Sequence, residues 1–399
     1  MKAGWQTKTL GEVLQKTETV NPVQSPETEF DYIDVSSVSN TAFEVEQTQR
    51  LKGKDAPSRA RKLVKTNDVI FATIRPTLRR IAIVPAHLDR QVCSTGYFVL
   101  RPKVVLDHRF VYYWLFSEEF MRQMEALQKG ASYPAVTDKE VRDQVIPFPS
   151  LPEQQRIVTL LDEAFAGIAT AKANAEKNLQ NARAIFESHL QLVFEAHGAG
   201  WKCNSFEDTV DSLCTLSYGI VQPGDEYTGG MPIVRPTDLG GKTIEIQGLK
   251  RIDPALAVSY RRTTLRGGDL LLCVRGTTGQ ISIASKELAG ANVTRGIVPI
   301  FFEPSLVAQD FGYYLMCSGF VQSQIQEKTY GTALQQINIG DLRKLKLPIP
   351  PLAEQATLTA RFAALGEETQ RLESIYQQKL AAFDELKKSL LHSAFNGEL

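Results

Sequence analysis

The strongest constraint on this chain is that it repeats itself. Phe110-Val-Tyr-Tyr-Trp-Leu-Phe116 returns as Phe311-Gly-Tyr-Tyr-Leu-Met-Cys317, and Pro147-Phe-Pro-Ser-Leu-Pro-Glu-Gln154 as Pro348-Ile-Pro-Pro-Leu-Ala-Glu-Gln355. Gly130 falls on Gly331, Asp68 on Asp269 and Phe194 on Phe395, every pair 201 positions apart. Nearer the start the offset slips, with Gly4-Trp5 matching Gly200-Trp201, which puts the insertions in surface loops. Solenoid repeats have units of roughly 20 to 50 residues. A unit of half a 399-residue chain predicts instead a pseudo-dimer, two equivalent halves fused in tandem.

Each half divides again. Residues 1–149 and 200–350 mix short β-branched runs with Gly, Pro and Asn breaks. Asp68-Val-Ile-Phe-Ala-Thr-Ile74 with Ile81-Ala-Ile-Val84, and Asp269-Leu-Leu-Leu-Cys-Val274 with Ile281-Ser-Ile-Ala284, read as buried strands, and helical periodicity follows in 110–128 and 311–327. Each is expected to be a compact mixed α/β (α+β) module. Segments 150–199 and 351–399 differ in kind: between Glu153 and Glu195, and between Glu354 and Asn396, there is no proline and a single glycine each, Gly167 and Gly366. Ser150 followed by Glu153, with Pro152 in the first turn, is a helix-start signature.

Both helical segments carry apolar residues at alternating steps of four and three. The first seam includes Ile157, Leu161, Ile168 and Ile185, the second Phe362, Leu365, Leu372 and Phe383. These read as heptads. About forty residues at ~1.5 Å rise form a rod of roughly 60 Å, longer than a module of this size, so the rods are expected to pair antiparallel as a spacer rather than each fold back on its own module. Asn178 and Lys379 fall at equivalent seam positions; they either fix register or mark where the seam opens to water.

The formal net charge is zero, which at first argues against a nucleic-acid binder. Its distribution reverses that. Residues 1–152 hold 21 basic and 18 acidic side chains, 153–200 hold 4 and 6, 201–352 hold 15 and 14, and 353–399 hold 5 and 7. The modules are basic and the rods acidic. Within the first module Arg50, Lys52, Lys54, Arg59, Arg61, Lys62, Lys65, Arg75, Arg79 and Arg80 share their stretch with only Asp55 and Asp68. In the second, Lys250, Arg251, Arg261, Arg262, Arg266 and Arg275 share theirs with Asp253 and Asp269. Arginine suits both phosphate and the guanine edge. The loops 130–136 and 331–337 also recur, offering Ser132, Tyr133, Thr332, Gln335 and Gln336 for polar contact. Their glycines, Gly130 and Gly331, fit either a helix-ending role or a close approach to a partner.

No phosphate-binding G-x-x-x-x-G-K-[ST] loop is present, no pair of cysteines has C-x-x-C spacing, and the five histidines (His87, His108, His189, His197, His392) show no metal spacing. Five dispersed cysteines and an N-terminus without a signal-peptide core predict a cytoplasmic protein with no membrane span. No catalytic or metal site is expected.

Two α/β modules each followed by a long helix, with Leu151-Pro-Glu-Gln-Gln-Arg-Ile157 opening the first helix and Ala394-Phe-Asn-Gly-Glu-Leu399 closing the chain, resemble the specificity subunit of type I restriction-modification systems. The resemblance spans the chain. It implies two target-recognition domains, each reading one half of a bipartite, asymmetric site in double-stranded DNA, held apart by the helices. It also implies two methylation subunits and restriction subunits as partners. Catalysis, with S-adenosylmethionine, ATP and Mg, would then belong to those partners and no cofactor to this chain. The second helix start departs from the pattern, with Ala353 in place of proline and Ala356-Thr357 in place of Gln155-Arg156. Two other classes stand beside this one: an adaptor that binds only proteins, and an enzyme whose site the motifs do not reveal.

Overall fold

A computed structural model describes residues 4–196, 198, 200–332 and 334–399. His197, Ala333 of the second loop and the N-terminal Met1 to Ala3 lie outside them. The chain forms two compact units, residues 1–176 with 378–399, and residues 177–377.

In the first unit, strand Gln6–Thr9 pairs antiparallel with Val145–Phe148, fastening the start of the module to the residues just before the central helix, Leu151–Ala196. Two sheets fill the interval. One runs in the order Gln49–Lys52, Glu29–Ile33, Val92–Ser94, Ala60–Leu63, and the other Ile81–Ile83, Val69–Ala72, Tyr97–Leu100. Val69–Ala72 and Tyr97–Leu100 are buried along their whole length, as continuous apolar strands must be. Helices His108–Trp114 and Glu118–Leu127 start at Asp107 and Ser117, whose side chains accept from first-turn amides. They cover the core with Phe110, Trp114 and Phe120, joined by Ile157 and Leu161 of the central helix and Leu391, Ala394 and Phe395 of the C-terminal helix, Leu352–Asn396.

The second unit repeats this plan at the level of hydrogen-bond register. Val69 pairs with Leu100 and Ala72 with Tyr97; Leu270 pairs with Ile300 and Cys273 with Ile297. Gln6 opposite Phe148 becomes Lys202 opposite Ile349. Phe194 takes the part of Phe395: it lies 5.7 Å from Phe311 between ring centroids, where Phe395 lies 5.1 Å from Phe110.

The long helices pair antiparallel within each unit. In the first, Arg156 Nη2 donates to the Leu399 carbonyl at 2.7 Å and Lys172 Nζ meets Asp384 Oδ1 at 2.7 Å, so climbing one helix descends the other. In the second, Arg183 Nε meets Glu373 Oε2 at 3.0 Å and Phe194 stacks on Phe362 at 5.9 Å.

The seam differs from the heptad expectation. Ile157, Leu161, Ile168 and Phe362 are buried, and Leu365, Leu372 and Phe383 half-buried, but Ile185 is 47% exposed. Past residue 178 the seam keeps Ala182 buried on the heptad frame, but buried Leu190 and Phe194 and half-buried Leu179 and Phe186 lie one or two residues beyond it. A straight helix of 3.6 residues per turn drifts ~20° per heptad against a 3.5 repeat, so three to four heptads move the buried stripe by about one position. The same drift replaces Lys379 by Leu380. Asn178 and Lys379 are both exposed, which removes them from any role as buried register pins.

Candidate nucleic-acid interface

The basic stretch of the first module is contiguous in sequence but divided in space. Arg50 and Lys52 lie on one edge strand of the four-stranded sheet, Arg61 and Lys62 on the opposite edge. Half of the ten cations of the stretch meet acids from outside it. Arg50 pairs with Glu29 and Asp31 at 3.3 and 2.9 Å, Lys52 and Lys54 with Glu27 at 3.0 and 3.2 Å, and Lys62 with Asp138 at 2.6 Å. Arg61 donates to the Ala60 carbonyl at 2.8 Å, and half-buried Arg80 donates to that of Val38. Arg59 is exposed on the turn entering strand Ala60–Leu63. Counting charge along the sequence therefore overstates the surface field, because the partners arrive through strand pairing.

A third group gathers where the Val69–Ala72 strand ends. Arg75 and Arg79 flank the short 3-10 turn Pro76–Leu78, both in left-handed backbone at φ 50° and 53° and both exposed. Loop 130–136 closes on this turn: Lys129 and Ala135 exchange both backbone hydrogen bonds at 2.9 Å, the Arg75 amide donates to the Pro134 carbonyl at 2.6 Å, and the Val136 amide to that of Thr73 at 2.9 Å. Arg75 Nη2 donates to the Ser132 carbonyl at 3.3 Å, and its guanidinium carbon sits 4.9 Å from the centre of the Tyr133 ring. Tyr133 is 71% exposed. An apolar ring held outward under a cation is an unspent contact surface.

The second unit closes its loop the same way. Tyr330 and Gln336 exchange both bonds at 2.9 Å, the Gly276 amide donates to the Gln335 carbonyl at 2.9 Å, and the Ile337 amide to that of Val274 at 3.1 Å. Arg275 forms a bridge with Gln336, so Arg275 corresponds to Ile74, which bridges Ala135, and the residue matching Arg75 is Gly276. Thr278 Oγ1 donates to the Gln335 carbonyl at 3.1 Å; neither threonine of the turn was singled out by its sequence pattern. Thr332 and Gln335 are exposed and Gln336 half-buried. Gly130 and Gly331 do not cap helices, which end at Leu127 and Glu327. They turn the loop at φ 107° and 102°, where a Cβ would meet the Tyr133 carbonyl oxygen at 3.0 Å and that of Leu334 at 2.4 Å. Glycine is required there by loop closure.

Elsewhere in the second unit, Arg261, Arg262 and Arg266 line one depression of about 210 Å³ with Cys214, Asp269 and Phe301. Arg266 stacks on Phe301 at 4.8 Å and pairs with Asp211 at 3.0 Å. Lys250 and Arg251 are tied to the carbonyls of Gly224 and Gly230 at 2.5 and 2.8 Å.

The conserved geometry hides an electrostatic difference. Asp68 is gripped by Arg101 Nε and Nη2, both at 2.8 Å, and Arg101 Nη1 also reaches Glu18 at 2.6 Å. Glu18, bonded by Lys65 and then Arg101, is held down to about 2. Asp269 instead accepts from the amides of Arg266 and Gly267 at 2.7 and 3.0 Å, and burial pushes its carboxyl above the usual range. Both aspartates accept from the amide three residues earlier and so hold the turn that enters a buried strand. Among the described residues no cluster of three His, Cys, Asp or Glu side chains is placed to hold a metal ion, and no helix is long and apolar enough to cross a membrane.

A family model described as the type I restriction modification DNA specificity domain matches residues 2–180 and 223–380. The chain is 24% identical over 341 residues to the EcoBI type I restriction enzyme specificity subunit of Escherichia coli, covering 79% of this chain and 70% of that protein. It is 19% identical over 415 residues to the putative MjaX specificity subunit of Methanocaldococcus jannaschii, covering 99% and 93%. The crystal structure of the HsdS subunit from Thermoanaerobacter tengcongensis superposes with a TM-score of 0.70 at 27% identity, over 100% of this chain and 98% of that one. A chain solved in work on complex assembly and conformational transition of the type I R-M system superposes at 0.83, with 28% identity, over 100% and 99%.

Proposed function

The chain belongs to the type I restriction modification DNA specificity family, and from that premise we propose that each of its two units reads one half of a bipartite, asymmetric site in double-stranded DNA. The observation that carries this reading is the pair of loops, 130–136 and 331–337, closed by the same backbone hydrogen bonds onto turns of different sequence. Equal frames with unequal side chains suit two readers that must sit alike on DNA yet recognise different bases. Arg59, Arg75, Arg79, Ser132 and Tyr133 in the first unit, and Arg261, Arg262, Arg275, Thr332, Gln335 and Gln336 in the second, are the side chains we assign to this contact. Arg50, Lys52, Lys54, Arg61, Lys62, Arg80, Lys250, Arg251 and Arg266 would add a weaker, positioning field, since neighbouring acids or carbonyls already engage them.

The long helices set the half-site spacing, for which one turn of DNA, about 34 Å, is the geometric unit. They also offer the surface on which two methylation subunits dock, with restriction subunits completing the assembly. Methyl transfer and cleavage, with their S-adenosylmethionine, ATP and Mg, fall to those partners; this chain supplies recognition without catalysis, in the cytoplasm.

Mobility-shift titration at several salt concentrations tests the reading. Contacts through arginine and lysine release counterions, so a footprint of six phosphate contacts weakens binding by about a thousandfold between 50 and 200 mM salt. Salt-independent binding, or methyl transfer by the purified chain alone, would contradict it.

A further inference from the structure

The two units carry different side chains at the turn on which each loop closes. Backbone hydrogen bonds fix the correspondence. The Arg75 amide donates to the Pro134 carbonyl and the Gly276 amide to that of Gln335; the Ala72 amide donates to the Arg80 carbonyl at 3.0 Å and the Cys273 amide to that of Gln280 at 2.8 Å. On this register Arg75 stands where the second unit has Gly276, and Arg79 where it has Gly279. The glycines adopt φ 96° and 97°, the arginines 50° and 53°. The frame demands left-handed backbone at both positions. Glycine adopts it freely, whereas a residue with a Cβ is strained by it. The first unit accepts that strain twice and places an arginine each time.

Neither arginine is used inward. Both are exposed, and among the described residues no carboxylate forms an ion pair with either. Arg75 is fixed from one side by the Tyr133 ring and the Ser132 carbonyl. The residue matching Tyr133 in the second unit is Leu334, on which a guanidinium cannot stack. Strain retained at an exposed position marks a functional constraint when nothing in the fold requires the side chain.

We propose that Arg75 reads a guanine in the half-site of the first unit, with Tyr133 holding the plane of its guanidinium. A guanidinium stacked on a ring keeps its N–H edge directed outward, and guanine O6 and N7 in the major groove accept two parallel hydrogen bonds from that edge. A phosphate contact requires no fixed plane, and lysine can still make it as a point charge. The second unit, with Gly276, Gly279 and Leu334, reads its half-site without this contact. The inference rests on the first unit being a DNA reader.

Two substitutions separate the roles. Arg75→Gly installs the residue of the second unit at an angle that favours it, so the melting temperature stays level or rises. Arg75→Lys keeps the charge and removes the fork. Each variant is expressed as the full chain with its partner subunits, modified sites are mapped across cellular DNA, and affinity for the parent site is measured by mobility shift. The half-site belonging to the first unit is identified separately by exchanging residues 1–149. The expected result is that one G·C position in that half-site becomes degenerate in both variants, affinity for the parent site falls about ten- to a hundredfold, and the other half-site is unchanged. Full specificity with lysine would overturn base reading in favour of a phosphate contact, and full specificity in both variants would leave Arg75 without a role in recognition. If exchanging 1–149 alters neither half-site, the first unit is not a reader and the underlying assignment fails with the proposal.

Discussion

Gln154 and Gln355, 201 positions apart in the chain, make the same three hydrogen bonds. Each is fully buried in the first turn of a long helix. Gln154 Nε2 donates to the carbonyls of Val105 and Pro149 and its Oε1 accepts from the Asp107 amide, at 3.0, 3.0 and 2.8 Å. Gln355 does so with Leu306, Pro350 and Ala308, at 2.8, 2.9 and 2.8 Å. The recurring Leu-x-Glu-Gln motif is thus a clamp that joins the helix start to the loop before the module's first covering helix. Its job is positional.

The clamp predicts a large and local cost. Gln154→Leu strands two carbonyls and one amide around a fully buried side chain, at roughly 1–3 kcal/mol each before relaxation. A loss of about 3 kcal/mol is expected in urea unfolding, with hydrogen exchange rising around 103–107 and 149–155 and staying level around 304–308. Exchange rising equally in both places would contradict it.

The observed seam is tested by substitutions that the heptad frame and the structure rank in opposite order. Ile185→Gln touches an exposed side chain and should change stability by no more than about 0.5 kcal/mol. Leu190→Ala empties a buried position that the heptad frame leaves off the seam and should cost about 2–5 kcal/mol. The heptad frame would make Ile185 the sensitive position.

Opposite responses to acid are expected from Glu18 and Asp269. Glu18 has its folded pKa depressed to about 2 by Lys65 and Arg101, so its contribution is complete above its unfolded value and is lost as pH falls through 4.5 towards 2. Asp269 has its folded value raised by burial, so its ionisation opposes folding as pH rises and its protonation relieves that cost as pH falls. Unfolding midpoints of Glu18→Gln and Asp269→Asn between pH 7 and pH 3 check the signs. The first should flatten the acid loss of stability, and the second should remove a gain. Parallel pH curves for the two variants and the parent chain would refute the assignment.

Much of this was legible in the sequence because a duplicated hydrogen-bond register forces the same residue types into the same places. Asp68 with Asp269, Gly130 with Gly331, and the proline-flanked helix starts all reflect backbone geometry that few residues satisfy. The surface charge was less legible. Arg50 finds Glu29 and Asp31 only through antiparallel register, and Lys62 finds Asp138 across 76 positions, so a count along the chain misses both. The match of Arg79 to Gly279 was hidden for another reason: a one-residue deletion within the turn shifts the offset between halves from 201 to 200, and only backbone hydrogen bonds restore it. Ile185 was misplaced because a strict heptad was extended past the point where a straight helix leaves it.

On the proposed function, the halves of this chain are independent readers of the two halves of one DNA site. Exchanging residues 1–149 for the corresponding module of a different specificity subunit, with the helices and second unit retained, tests it most directly when modified bases are mapped across the DNA of a cell that also expresses the partner subunits. A new sequence is expected in one half of the target, with the other half and the gap between them unchanged. A change in both halves, or in neither, would contradict it.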